Sequence, residues 1–169
     1  MSAYEIVPSS VRHVRPMSKR VRAAGALAMQ NYGVNPRVGL HRVFVSSNYT
    51  RTALVDGRPV AMWGVVGMLM GDTAFVWLVL AQETGQIPRA IVREARAELQ
   101  RVMDNYSHIM MTVLPDDEPS VRFALHLGFR PMDGEYMGDA KDALTNPRFR
   151  IPIGDSYVIQ MGYAPGAVS

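Results

Sequence analysis

The sequence predicts an α/β (α+β) fold in a single domain, and three observations carry that expectation. Asp56-Gly57 separates two β-type runs, residues 51–55 and 59–68, as the positive φ angles of a tight hairpin turn require. Thr73 to Ala81 is a short run rich in Phe, Val, Trp and Leu, too apolar for an exposed strand, and it reads as a central one. Ile91, Ala95, Leu99, Val102, Met103 and Tyr106 then fall on one helical stripe, with Arg93, Glu94, Arg96, Glu98 and Arg101 largely outside it. A length of 169 residues suits one core, so residues 1–169 are read as one domain.

The remaining elements follow in order. Tyr4 to Val7 alternates and meets Pro8, Ser9 and Ser10, which predicts a short strand and then a helix start. Val21, Ala24, Leu27 and Ala28 mark a helical face running from Ser18 to near Gln30. Asn31, Gly33, Asn35 and Pro36 make a loop, and Val38 to Ser47 fits a helix or a strand, with helix preferred. Pro88 suits the first position of the long helix. His108 to Leu114 is β-type and stops at Pro115 and the acids Asp116, Asp117 and Glu118. Pro119 opens a short helix carrying Val121, Ala124 and Leu125 inward, and Gly128 is placed to end it with a positive φ. Residues 131–150, rich in Gly, Asp, Pro and Asn, read as a surface excursion; Tyr157 to Tyr163 is the last strand and residues 164–169 a tail.

Composition excludes several classes of chemistry. With no cysteine, disulfides, thiolate catalysis and zinc-thiolate sites are all ruled out. The longest mostly apolar stretch, Val60 to Met70, is interrupted by Gly64 and Gly67 and falls short of the roughly 20 residues of a membrane span, so a soluble protein without a span is expected. Arg12, Arg15, Lys19, Arg20 and Arg22 stand where a signal sequence would be apolar, which favours an intracellular or virion-enclosed chain. Of the 18 basic residues only Lys19 and Lys141 are lysine. An arginine excess suits carboxylate or phosphate partners, and a merely solvated surface is the plainer account of it. Core filling is the plain account of most of the 12 methionines, and Trp63 and Trp77 read as core or pocket-wall residues.

The order of strand, helices, hairpin, central strand, long helix, strand, short helix and closing strand resembles the acetyltransferase fold of the GNAT superfamily. The resemblance runs from Tyr4 to Tyr163 and is most specific from Leu114 to Phe129, ending in Leu127-Gly128-Phe129. It implies a mixed, mainly antiparallel sheet flanked by helices. Within the superfamily the chain looks most like GNAT-like internal virion proteins of short-tailed bacteriophages. Asp56-Gly57-Arg58-Pro59-Val60-Ala61, Trp77-Leu78-Val79 and Val121-Arg122-Phe123 carry that closer match.

The resemblance also says where acetyl transfer would be housed. A typical member wraps the coenzyme A pyrophosphate in a Gln/Arg-x-x-Gly-x-Gly/Ala loop whose backbone N–H groups meet the anion at a helix N-terminus. Here the loop reads Gln82-Glu83-Thr84-Gly85-Gln86-Ile87-Pro88. Gln82 and Gly85 match, with Gln86 beside them, and these three are the cofactor-binding candidates. Ile87 stands where a small residue belongs, Pro88 has no N–H, and Glu83 adds a negative charge. The family's tyrosine four residues before the glycine is replaced by Ala124, which has no proton to give a departing thiolate, and His126 is two residues off that face. His108 is the one candidate general base, although a histidine at a strand end is ordinarily a surface or packing residue. Asp116, Asp117 and Glu118 read as helix-capping acids rather than metal ligands, and no metal is expected.

The expectation is therefore a virion-associated structural or assembly protein with a degenerate acetyl-transfer site and no cofactor. It would be made in the host cytoplasm and would contact other virion proteins, or packaged nucleic acid, through Arg12, Arg15, Arg20 and Arg22. The alternative is a cytoplasmic, active N-acetyltransferase using acetyl-CoA.

Overall fold

The structure is a computed structural model that describes residues 4–22, 35–67, 71–83, 89–134, 136–153 and 155–164. The chain packs as two compact units, Met1–Gly67 with Val76–Gln86, and Met68–Phe75 with Ile87–Ser169.

In the first unit, β1 (Glu5–Pro8) pairs antiparallel with β2 (Tyr49–Val55), and β2 with β3 (Arg58–Gly67). The turn between β2 and β3 is the expected one, with φ of 50° at Asp56 and 76° at Gly57. β4 (Thr73–Leu80) follows β3 in the strand order. β3 is buried from Pro59 to Val65, so it is the more deeply covered of the two, whereas Phe75 on β4 is 39% exposed.

Helix α1 (Val11–Ser18) begins as its sequence dictates. The Ser10 hydroxyl accepts the Arg12 N–H while the Ser10 N–H donates to His13 Nδ1, closing a capping box. Its buried residues are Val14 and Met17. Helix α2 (Pro36–Ser46) starts at Asn35, whose Oδ1 accepts the Val38 N–H, with Pro36 in the first turn; the helical choice for this segment holds. The helix expected from Ser18 does not begin there: α1 ends at Ser18, and Val21 forms an antiparallel bridge with Ala81. Ala24, Leu27, Ala28 and Gln30 lie outside the described residues.

In the second unit the strand order is β4, β5 (His108–Val113), β9 (Ser156–Tyr163), β6 (Phe129–Asp133), β7 (Tyr136–Met137). β4 runs parallel to β5 from Thr73↔His108 to Phe75↔Met110. β9 is antiparallel to β5 along one edge. Its other edge is divided between β6, opposite Met161 to Tyr163, and β8 (Arg150–Ile153), opposite Ser156 to Ile159. β7 closes a small hairpin on β6.

Helix α3 (Arg89–Met103) turns Ile91 and Leu99 inward as its stripe requires. It also buries Glu98, an acid expected outside the stripe, whose carboxylate accepts from Arg101 at 3.0 Å. Helix α4 (Glu118–Leu127) ends at Gly128 with φ of 106°. Buried Arg130 donates to the carbonyls of Leu125 and Phe129, satisfying acceptors at that helix end. The segment 131–150 carries β7, the one-turn helix α5 (Asp142–Thr145) and a 3-10 turn at Pro147–Phe149, and it sends Ala143 and Phe149 into the core. Met17, Met62, Met111 and Met161 are buried, as is Trp63. Of the expected tail, only Ala164 lies among the described residues.

Candidate functional site

The strand-to-helix loop that would cradle a pyrophosphate is described as far as Glu83; Gly85, Gln86, Ile87 and Pro88 lie outside the described residues. The Gln82 N–H donates to the Arg20 carbonyl at 2.7 Å, which ties the start of the loop to the segment after α1. Glu83 forms an ion pair with Arg20 and a second with Arg58, at 3.2 Å. Arg20 also donates to the Pro59 carbonyl at 3.0 Å. Burial, and then the neighbouring Arg58, lower the Arg20 pKa from its ordinary value. Two guanidinium groups thus offset the carboxylate that the sequence places at the loop, and its repulsion of an anion is weaker than expected.

The same contacts separate the four arginines proposed for partner binding. Arg12 and Arg15 are exposed on α1, whereas Arg20 is occupied by Glu83 and Pro59. Arg22 is partly buried, and its backbone N–H donates to the Leu80 carbonyl.

In the second unit, His108 begins β5 with its backbone N–H on the Asp72 carbonyl. Its Nε2 lies 3.7 Å from Asp72 Oδ2, with the two side chains 68% and 64% exposed. An imidazole beside a carboxylate is the pairing a general base uses, but this separation exceeds a hydrogen bond and water competes for both groups. Ala124, at the turn where the resemblance leads one to look for a tyrosine, is fully buried between the helix and the core. His126 lies on the exposed side and is paired with Arg96 at 3.0 Å. Asp117 occupies the N-cap of α4, yet its carboxylate accepts from the Ser120 hydroxyl rather than capping the backbone, and Glu118 takes Arg122. The cap bond expected of these acids is therefore not made by Asp117, whose carboxylate is taken by a side chain; Glu118 does stand in the first turn, where an acid suits the helix dipole. Among the described residues no group of three or more His, Asp or Glu could hold a metal ion, and no helix is long and apolar enough to cross a membrane.

One feature was not read from the sequence. Between α1 and α2 lies an open cleft of about 560 Å³. Arg15 lines it together with Arg37, His41 and Arg42. The signal that would have found it is the absence of any Asp or Glu between Glu5 and Asp56.

No protein-family model and no curated protein matches the chain. Solved structures do match. An acetyltransferase of the GNAT family from Bacillus anthracis superposes with a TM-score of 0.62 at 14% identity, covering 96% of this chain and 95% of its own. The ribosomal-protein-S18-alanine N-acetyltransferase from Escherichia coli gives 0.62 at 12% identity, with 99% and 97% covered. Mycobacterium smegmatis RimJ, solved in complex with CoA-disulfide, gives 0.58 at 13% identity, with 97% and 83% covered. The chain therefore has the GNAT acetyltransferase fold, an α/β architecture with a mixed, mostly antiparallel sheet flanked by helices.

Proposed function

We propose that this GNAT-fold chain acts through its surface, as a structural or assembly component of a short-tailed phage particle, with an acetyl-transfer site that has degenerated. The observation that carries this reading is Ala124. A leaving thiolate needs a proton or a stabilising dipole, and a methyl group buried in the core supplies neither. The virion setting rests on the resemblance of three sequence stretches, Asp56 to Ala61, Trp77 to Val79 and Val121 to Phe123, to phage internal virion proteins. On this reading no cofactor is bound, and the protein is made in the host cytoplasm before it joins the particle.

A second reading, an active acetyl-CoA-dependent N-acetyltransferase, is favoured by one arrangement, the His108–Asp72 pair. The fold is shared with working acetyltransferases, and Arg20 and Arg58 keep the mouth of the loop from being net negative.

Calorimetric titration with acetyl-CoA separates the two. The structural reading expects no saturable heat at micromolar concentrations and no thermal shift; a micromolar Kd with a matching rise in Tm supports the enzyme, because a ligand of the native state must stabilise it. Quantitative mass spectrometry of purified particles beside the soluble lysate tests the setting. Stoichiometric recovery in particles is expected, and recovery only in the lysate, with newly acetylated targets, would overturn it.

A further inference from the structure

Charge is distributed very unevenly along the chain. Residues 1–55 carry Arg12, Arg15, Lys19, Arg20, Arg22, Arg37, Arg42 and Arg51 against one acid, Glu5. The remainder carries 10 basic residues against 14 acids. A uniformly solvated surface would mix the signs, so a local excess of this kind calls for a local account.

The packing of α1 against α2 concentrates part of that excess. The two helices line the cleft of about 560 Å³, with Arg15 from α1 and Arg37, His41 and Arg42 from α2. Arg15, Arg37 and Arg42 are all exposed, and among the described residues no carboxylate pairs with any of them. Val11, Val14 and Val38 supply apolar surface beside these charges, and Val11 stays 60% and Val38 37% exposed.

Helix stability accounts for Arg15, which stands in the last turn of α1, but not for Arg12 or Arg37. Neither helix has an acid in its first turn, and each places an arginine, Arg12 or Arg37, there instead. The N-terminal end of a helix carries partial positive charge, so a cation there opposes the dipole. Two positive helix ends and the basic side chains therefore reinforce one another around one cleft.

We propose that this cleft binds an acidic peptide segment of a partner protein, with its carboxylates on Arg15, Arg37 and Arg42 and its apolar side chains on the three valines. Guanidinium forks pair with carboxylates in two parallel hydrogen bonds, and an apolar centre with a polar rim is the usual construction of a protein interface. A nucleic acid fits less well. Among the described residues no Phe, Tyr or Trp lines the cleft as a stacking platform, and His41 is its one ring; a sugar-phosphate backbone would leave the valines uncovered. The site lies wholly within the first unit and requires neither the degenerate nor the active reading of the acetyl-transfer site; it names the chemistry of a partner for the former.

The test is selection of a random dodecapeptide display library on the immobilised full chain, followed by fluorescence anisotropy of the enriched peptides in solution. Enrichment of peptides that combine Asp or Glu with Leu, Ile or Val is expected. Their affinity should fall at least tenfold for Arg37→Glu/Arg42→Glu and stay unchanged for Arg93→Glu, an exposed charge of α3. Glutamate at residue 37, in the first turn of α2, complements the dipole, residue 42 is exposed, and the melting curve of the double variant checks its fold directly. Enriched peptides without acids, or binding indifferent to the double charge reversal, would overturn the proposal. So would a DNA oligonucleotide that displaces the peptides with a steep salt dependence, which would assign the face to nucleic acid instead. Acetyl-CoA titration of the same double variant keeps the two questions apart, because the cleft and the pyrophosphate loop share no residue.

Discussion

The indole of Trp77 lies against Gly64 so closely that a side chain at residue 64 has nowhere to go. A Cβ there would stand 2.8 Å from Trp77 Nε1 and 2.7 Å from the Tyr49 carbonyl oxygen. The indole N–H meanwhile donates to the Ser47 hydroxyl at 2.8 Å, and that hydroxyl donates to the Val43 carbonyl at 2.6 Å, linking β4 to the end of α2. Because one of the two obstacles is backbone, Gly64→Ala cannot be relieved by a rotamer change. A loss of about 1–3 kcal/mol is expected in denaturant melts, the range for overpacked cores, and an unchanged midpoint would show that Trp77 does not sit across Gly64.

Gly128 ends α4 with φ of 106°, and its N–H donates to the Ala124 and Leu125 carbonyls. A Cβ would also lie 3.1 Å from the Tyr163 ring. Gly128→Val is therefore expected to destabilise by more than about 1 kcal/mol, since β-branched residues are strained in the left-handed region. An unchanged Tm would mean that the helix ends by another geometry.

The capping box of α1 gives the protein a pH dependence of known sign. His13 Nδ1 accepts the Ser10 N–H, and burial lowers its pKa from the ordinary 6.5. The neutral imidazole is thus favoured on folding, and just below pH 6.5 the unfolded chain binds more protons than the native one. This contribution is complete above 6.5 and is lost as pH falls from there through the depressed native value. His13→Gln keeps an N3 acceptor for the cap without titrating. Denaturant melts at pH 7.5 and 5.5 should show a smaller loss for His13→Gln than for the parent chain; equal losses would remove His13 from the account.

Local signals explain why much of the fold was legible and particular pieces were not. Asp56-Gly57 carries its own turn geometry, and Pro119 with Gly128 bounds a helix without help from distant residues. Val21 is different, because its place in a local helical spacing gives no sign of its bridge to Ala81, sixty positions on. The four residues of β8, with Pro152 among them, are too few for alternation to register. Glu98 reads as a charge outside the helical stripe and is buried, with Arg101 as a partner one turn on; Arg130, on which the sequence pattern is silent, is buried on the carbonyls of Leu125 and Phe129. The site divides the same way. Ala124 was visible by its distance from Gly128, whereas the cleft joins Arg15 to residues more than twenty positions away and depends on how α1 and α2 pack.

Ala124 supplies the sharpest test of the degenerate site, because the residue suggested by the family resemblance can be put back. If the position opened onto a working acetyl-transfer centre with only a phenol missing, Ala124→Tyr would restore a proton donor and raise acetyl-CoA turnover. The side chain is instead fully buried, on the inward face of α4 with buried Val121 and Phe123, while Leu125, expected inward, is only partly buried. A tyrosine in that space must displace its neighbours, and its hydroxyl must find a partner once it is removed from water. The expected result is a loss of stability of about 1–3 kcal/mol, as overpacking entails, with no gain in free thiol released from acetyl-CoA in the presence of a polyamine or a peptide amine. Thiol release above that of the parent chain, with the melting temperature unchanged, would show that the position faces a living site, and the structural reading would have to give way to the enzyme.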